Sequence, residues 1–343
     1  MHFFWFIEAM KDISIYSGAG NDFVVLDWRG QNGGSGGGLD GARIRELCAE
    51  HGTDGLMLLR EGSGCDFRME YFNSDGSGGM MCGNGGRCIV AFAASLGIEP
   101  ARDGVYLFEA ADGLHRAEIL AQEGSGCTVR LSMTDPSDIR PMCVEGRDGW
   151  FINTGTRHFV TFVQDSEAVD VETEGARLRH SSAFAPEGAN INFVQRLADG
   201  RLRIRTFEKG VEAETLACGT GITAAAIIDS LDSAGAGINA LAEKETGSKT
   251  GNETGTIEDH GEDAAELKRC ETTVPAKEAT GSKSHTTEVG TGNAATEGRA
   301  TEAGNHFRCR ILARCADLSV DFLIDRHKQP REVFLTGPAE RIR

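Results

Sequence analysis

Long hydrophobic runs are missing from this sequence. No apolar stretch approaches the roughly 18 residues needed to cross a bilayer as a helix, which argues against a membrane-spanning chain. The opening segment, MHFFWFIEAM, is too short and too poorly flanked for a secretory signal, so a cytoplasmic location is expected. Positive charge is scarce as well: 35 Lys and Arg against 52 Asp and Glu leave a formal charge of −17. That balance argues against nucleic acid or an anionic membrane as a partner and points to small molecules. Ten cysteines are present, yet there is no C-x-x-C pair and no Cys/His cluster at zinc spacing, so no metal site is read. In a cytoplasmic chain of this size a disulfide framework is not expected either, and most thiols should be small buried hydrophobes.

What is present suffices for two ordinary domains, with 343 residues of which 40% are hydrophobic. From Lys11 to about Ser230 short β-rich runs alternate with turn residues. In DFRMEYF, Phe67, Met69 and Tyr71 share one face while Arg68 and Glu70 share the other, the period of two that a half-buried strand requires. RLRIRTF repeats the pattern, with Leu202, Ile204 and Thr206 opposite Arg201, Arg203 and Arg205. Helices are expected near 44–49, after Cys82 and after Cys218. The stretch 232–305 is a mixture of Thr, Glu, Gly, Ala, Ser and Lys with almost no aromatic residues. It buries too little to offset the entropy of ordering and is read as a disordered insertion. The glycine-rich GQNGGSGGGLDG from Gly30 reads as a flexible loop, and Met10 reads as a natural chain start.

Two stretches stand out together. CGNGGRCIVAFAASLG from Cys82 and CGTGITAAAIIDSLD from Cys218 share Cys-Gly-x-Gly followed by an alanine-rich apolar run. Both runs lack a polar face, so each is expected as a buried helix at the centre of a domain wrapped by strands. Each cysteine then sits at a helix N-terminus, where free N–H groups and the positive dipole end favour a thiolate and can bind a carboxylate. Such a position can lower a thiol pKa from about 8.5 towards neutrality. Two such ends facing each other would hold one carboxylate with a sulfur on either side of its α-carbon, a geometry suited to racemisation. Cys88, six residues further along, is left as core, and His51, His115 and His180 are read as structural or merely exposed. GTGITA also fits a dinucleotide fingerprint, but the preceding EKGVEAETLA is polar and acidic where a buried strand is needed. FNSDGS lacks the downstream ligands of a calcium loop.

The order of motifs resembles the diaminopimelate epimerase family of cofactor-independent amino-acid epimerases. GAGNDF from Gly18, GTDG from Gly52, FNSDGS from Phe72, CGNGGRC from Cys82, TGTRHFV from Thr154, NINFV from Asn190, FEKGVEAETLACGTG from Phe207 and TGPAE from Thr336 follow one another as they do there. The resemblance implies an α+β fold of two similar domains, each of strands around a central helix, related by a pseudo-two-fold axis. The domains would be 10–139 plus 331–343, carrying Cys82, and 140–330, carrying Cys218, with the active site in the cleft between them. It further implies a catalytic pair Cys82 and Cys218 and backbone N–H groups of Gly83, Asn84, Gly219 and Thr220 around the α-carboxylate. His158 and Glu208 would stand beside the reacting amino group, and Asn21, Asn73 and Asn190 would contact substrate. No cofactor is implied, the partner is a small amino-acid substrate, and a homodimer stays open.

The departures from the family lie at the distal end. Thr156-Arg157-His158 stands where Asn-Pro-His is common, and Glu208-Lys209-Gly210 where Glu-Arg-Gly is common. Lys209 offers a point charge in place of a bidentate fork, Thr156 replaces an amide, and Arg157 is a candidate to supply the fork. The implied activity is interconversion of L,L- and meso-diaminopimelate without pyridoxal phosphate, a step towards lysine and cell-wall precursors. Two alternatives stay open: a related two-cysteine racemase or isomerase of another amino or imino acid, and a thiol redox protein.

Overall fold

Strand alternation is visible residue by residue in the computed structural model, which describes residues 13–30, 39–79, 81–233, 296–301 and 304–343. In β4 and β12, defined below, buried and half-buried positions alternate as their sequences require. The choice of chain start, most of the Gly30 loop and residues 234–295 of the expected insertion lie outside the described residues.

The first half of the chain contains β1 (Ser14–Gly18), β2 (Asn21–Asp27), α1 (Gly41–His51), β3 (Gly55–Glu61), β4 (Phe67–Asn73) and α2 (Gly83–Ser95). It continues through β5 (Val105–Ala110), β6 (Gly113–Glu123) and β7 (Gly126–Ser132). The second half contains β8 (Ser137–Val144), β9 (Arg147–Asn153), β10 (Arg157–Phe162), α3 (Val171–Arg179), β11 (Asn190–Arg196) and β12 (Leu202–Glu208). After these come β13 (Ala213–Thr215), α4 (Gly219–Ser233), β14 (Thr296–Thr301), β15 (Gly304–Leu312), β16 (Asp317–Ile324) and β17 (Pro330–Arg341).

Pairing closes β1-β2-β3-β4-β5-β6-β7-β17 into an eight-stranded barrel, with β17 returning to β1. The β2/β3 and β4/β5 joints are parallel and the rest antiparallel. A second layer runs β8-β9-β10-β11-β12-β15-β16-β17, again with two parallel joints, β10/β11 and β12/β15. The halves repeat each other: α1 and α3 cross over between parallel strands, which need such a connection, while α2 and α4 run through the interiors. This is the α+β architecture of two similar units around central helices.

The central helices are held by burial on every side. All residues of α2 from Gly83 to Ala93 are buried, as is most of α4. Ile89, Val90 and Phe92 of α2 and Ile222, Ile227 and Ile228 of α4 belong to one hydrophobic cluster that continues through Leu335 of β17. Each such side chain, fully buried, contributes roughly 1.5–3 kcal/mol. Among the described residues no helix is long and apolar enough to cross a membrane.

Three expectations change. β17, placed with the first domain, is divided: Pro330–Thr336 pairs with β16 and Phe334–Glu340 with β7, so one strand serves both units. The segment read as disordered to residue 305 ends in a strand, since Thr296–Thr301 pairs antiparallel with β15. Main-chain ladder bonds need no apolar side chain, which is why composition hid it. α3 was not expected because only Val171, Gly175 and Leu178 are buried. Its signals are polar: Asp170 caps Thr173, Glu172 and Glu174 sit in the first turn, and Arg177 and Arg179 in the last.

Candidate active site

The site is made where the two central helices begin. Cys82 is the N-cap of α2, in extended backbone conformation, and its Sγ accepts a 3.5 Å bond from the Gly85 N–H. Cys218 immediately precedes α4, and its carbonyl accepts from the Ile222 N–H. The two N-termini abut: a Cβ added at Gly219 would lie 3.5 Å from Gly83 Cα and 3.2 Å from Leu335 Cδ2. Absence of side chains at both positions lets the two sets of free N–H groups converge on one small region.

Burial pushes both thiols up, against the expectation of a helix-lowered thiol. At Cys82 the N–H groups of Gly85 and Asn84 pull the other way, while the Glu208 charge adds to the rise. At Cys218 burial is followed by Glu208, and the Thr220 hydroxyl and Gly221 N–H oppose them. Desolvation therefore outweighs the helix-end donors. Charge on Cys82 also disfavours charge on Cys218, so the pair resists carrying two thiolates at once. Glu208, at the end of β12, is itself raised by burial, with Thr215 opposing and Asp54 adding.

His158 is fully buried on β10, facing α4. Its Nδ1 accepts from Asn192 Nδ2 at 3.0 Å, leaving the proton on Nε2, which lies 2.8 Å from Thr156 Oγ1 and 3.0 Å from Thr220 Oγ1. The Thr220 hydroxyl is 3.4 Å from Cys218 Sγ. A chain of polar groups thus runs from Asn192 through His158 and Thr220 to one sulfur. Asn192 is fixed in turn, donating to the Phe159 carbonyl at 3.1 Å and accepting from Thr206 Oγ1 at 3.0 Å. Neither Asn192 nor Thr206 was singled out in the sequence, although the period of two in NINFV puts Asn192 on the same face as Asn190.

Burial drives the His158 pKa down to about 3, so the ring is neutral at ordinary pH. The unfolded chain takes up a proton below about pH 6.5 that the folded chain refuses. Stability is therefore complete above that pH and falls by about 1.4 kcal/mol per unit below it. Urea unfolding at pH 7.5 and pH 5.0 should show the native protein losing about 2 kcal/mol more than His158→Gln. Equal losses would refute a neutral buried ring.

The remaining residues expected in the site fall on its two walls. On the first barrel, Asn84 Nδ2 donates to Asn21 Oδ1 at 2.6 Å and crosses to the Ala217 carbonyl at 3.0 Å, next to Cys218. Asn21 Nδ2 donates to Asp54 at 3.2 Å. Asn73 Oδ1 accepts from Tyr71 at 2.8 Å and its amide donates to Ser77 Oγ. On the second unit, Asn190 Nδ2 donates to Thr156 Oγ1 at 3.3 Å, and its Oδ1 accepts from the Lys209 N–H at 2.8 Å. Lys209 Nζ donates to the Glu187 carbonyl at 3.1 Å. A cavity of about 180 Å³ opens beside this centre, lined among others by Met81, Thr156, Thr220, His115, Asp112 and Met133. His115 therefore lines the cleft, donating from Nε2 to Asp112 at 2.8 Å.

Arg157 is not brought in. Strand alternation sends it to the face opposite His158, where it lies over the Phe151 ring and donates to Glu187 at 2.5 Å. That placement gives no support to the suggestion that it supplies a distal fork.

Comparison with known proteins agrees with this construction. Residues 13–138 and 150–265 match the family model described as diaminopimelate epimerase. The chain is 44% identical over 218 residues to the diaminopimelate epimerase of Chlorobaculum tepidum, covering 62% of this chain and 80% of that one. It is 42% identical over 227 residues to that of Aquifex aeolicus, covering 62% and 79%. Among solved structures, a PhzF-family protein of Bacillus anthracis superposes with a TM-score of 0.56 at 12% identity, covering 96% of each chain. A probable proline racemase of Agrobacterium radiobacter gives 0.55 at 14%, covering 95% of this chain and 89% of that one. At those identities the structures establish the fold alone. From the family match, its extent along the chain and the identity to these relatives, the chain belongs to the diaminopimelate epimerase family.

Proposed function

We propose that this protein is an isomerase that interconverts L,L- and meso-diaminopimelate by proton transfer between two thiols across one α-carbon. The observation that carries the reading is the meeting of two cysteine-bearing helix N-termini from opposite halves of the molecule. The α-carboxylate is received by the N–H groups of Gly83, Asn84, Gly219 and Thr220, with both helix dipoles directed at it. One sulfur, as thiolate, removes the α-proton; the C–H electron pair passes into the carboxylate, where those N–H groups stabilise it. The opposite thiol then gives its proton to the other face, so the configuration inverts and the roles of the sulfurs exchange. Glu208, whose charge acts on both sulfurs, holds the α-ammonium, and His158 donates through Thr220 to fix the Cys218 side. The product would serve a route to lysine and cell-wall precursors, in the cytoplasm.

The distal carboxylate falls to Lys209 with Asn73 and Asn190, Thr156 bracing Asn190. Lys209→Met should raise KM at least about tenfold with kcat changed less, because an ion pair made equally in ground and transition states is lost. Arg157→Ala should leave KM within about twofold, since its guanidinium faces Glu187. A reversed order of these two effects in initial-rate assays would contradict the assignment. The reading itself is tested by incubating reduced protein with L,L-diaminopimelate and resolving the stereoisomers. Appearance of the meso form supports it. Absence of conversion, with turnover of another amino acid, would favour a related racemase.

A further inference from the structure

The α2 helix carries a fully buried arginine that the chemistry above does not use. Arg87 is 0% exposed. Its guanidinium donates to Asn84 Oδ1 at 2.9 Å and to the main-chain carbonyls of Gly83 and Pro338 at 3.3 Å each. Among the described residues no carboxylate pairs with it, and the ionisable groups acting on it are the Cys82 and Cys88 thiols. A buried cation without a counter-ion is costly, so its persistence beside a site that must hold an anion calls for a reason. The fold makes space for it: a Cβ on Gly337 of β17, in the TGPAE motif, would lie 3.2 Å from Arg87 Nε and 2.8 Å from Leu318 Cδ2.

Two consequences follow from this placement. Donation to Oδ1 fixes which way the Asn84 amide points, so that Nδ2 faces Asn21 and the Ala217 carbonyl. That amide ties the helix of Cys82 to the residue before Cys218 and thereby sets the two sulfurs relative to each other. The positive charge, about one helical turn into α2, stands behind the anionic centre in a region of low dielectric, where it acts strongly. The same thiol is faced by Glu208 from β12, Tyr71 from β4, Cys218 ahead of α4 and Cys88 on its own helix. Arg87 is the cation among them.

We propose that Arg87 is a positioning residue of the reaction: through Asn84 it holds the two cysteine-bearing helix ends in register, and its buried charge offsets the anion formed between them. The inference rests on the epimerase reading but is tested separately from it. The rate of Cys82 alkylation by iodoacetamide, followed by peptide mass spectrometry across pH, is measured beside epimerisation for full-length wild type, Arg87→Met and Arg87→Lys. In Arg87→Met the alkylation midpoint should rise by about one pH unit and kcat should fall about 100-fold. In Arg87→Lys, which keeps the charge but not the planar fork, the midpoint should stay within about 0.3 unit while kcat falls about tenfold. An unmoved midpoint in Arg87→Met, or wild-type kcat in Arg87→Lys, overturns the proposal. If Arg87→Met does not fold, Arg87→Lys decides by its kcat. If wild type does not act on diaminopimelate, the epimerase reading fails while the alkylation midpoints still decide for or against the charge.

Discussion

Replacing either Cys82 or Cys218 by alanine is expected to lower kcat for epimerisation by about 10³-fold or more, with the folded state retained. Inversion needs a base on one face of the α-carbon and an acid on the other, so the second thiol cannot compensate for loss of the first. The two single variants should be similarly impaired, and the double variant little worse, because the sulfurs act as a unit. Cys88→Ala is the comparison. Cys88 is buried in the first barrel and its truncation should cost about 1–2 kcal/mol of stability, with kcat within a few fold. Initial rates in both directions, with denaturation curves for each variant, check these outcomes. A Cys218→Ala protein retaining a tenth of native kcat would exclude the two-thiol scheme.

Gly221→Ala should be nearly as damaging, by another route. A Cβ there would lie 2.4 Å from Asn192 Oδ1 and 3.3 Å from His158 Cε1. The first distance is impossible without displacement, and Asn192 cannot yield without giving up its bonds to His158, Phe159 and Thr206. Overpacking a buried polar network of this kind costs about 3 kcal/mol. Release of His158 from Thr220 should also lower kcat by about 100-fold. Chemical denaturation and initial rates of the same preparation test both effects. Native stability in Gly221→Ala would mean that the glycine is not the wall on which His158 and Asn192 rest.

The parts of the molecule legible in the sequence are those governed by local periodicity. Phe67, Met69 and Tyr71 alternate with Arg68 and Glu70 as a half-buried strand must, and the all-apolar runs after Cys82 and Cys218 could only be buried helices. Gly97, with φ 72°, ends α2 near where the pattern stops. Features decided by distant partners were not legible. Sharing of β17 depends on which strands flank it, and α3 shows too narrow an apolar stripe, resting on Phe207 through Gly175. β14 is held by main-chain bonds that composition does not report.

The site divides in the same way. Its two cysteines were evident because the motif repeats, and His158 because of the residues around it. The direction of the thiol shifts was not, since helix-end stabilisation is a local property whereas desolvation depends on the whole enclosing barrel. Arg157 faces away from His158 because strand phase, not proximity in sequence, decides which way a side chain points. The burial of Arg87 is not legible locally, because an arginine within a helix motif is ordinarily solvated and this one is enclosed by Gly337 and Pro338 some 250 residues away.

The most direct test is isotopic. Reduced protein is incubated with L,L-diaminopimelate in deuterium oxide, and deuterium at the α-carbon is followed by mass spectrometry at low conversion in both substrate and product. With one thiol removing the substrate's own proton and the other, equilibrated with solvent, delivering a deuteron, the meso product should carry one deuterium from its first appearance while recovered substrate stays nearly unlabelled. Equal labelling of recovered substrate and product from the outset would mean that a single base serves both faces, and would contradict the assignment of Cys82 and Cys218 as an opposed pair.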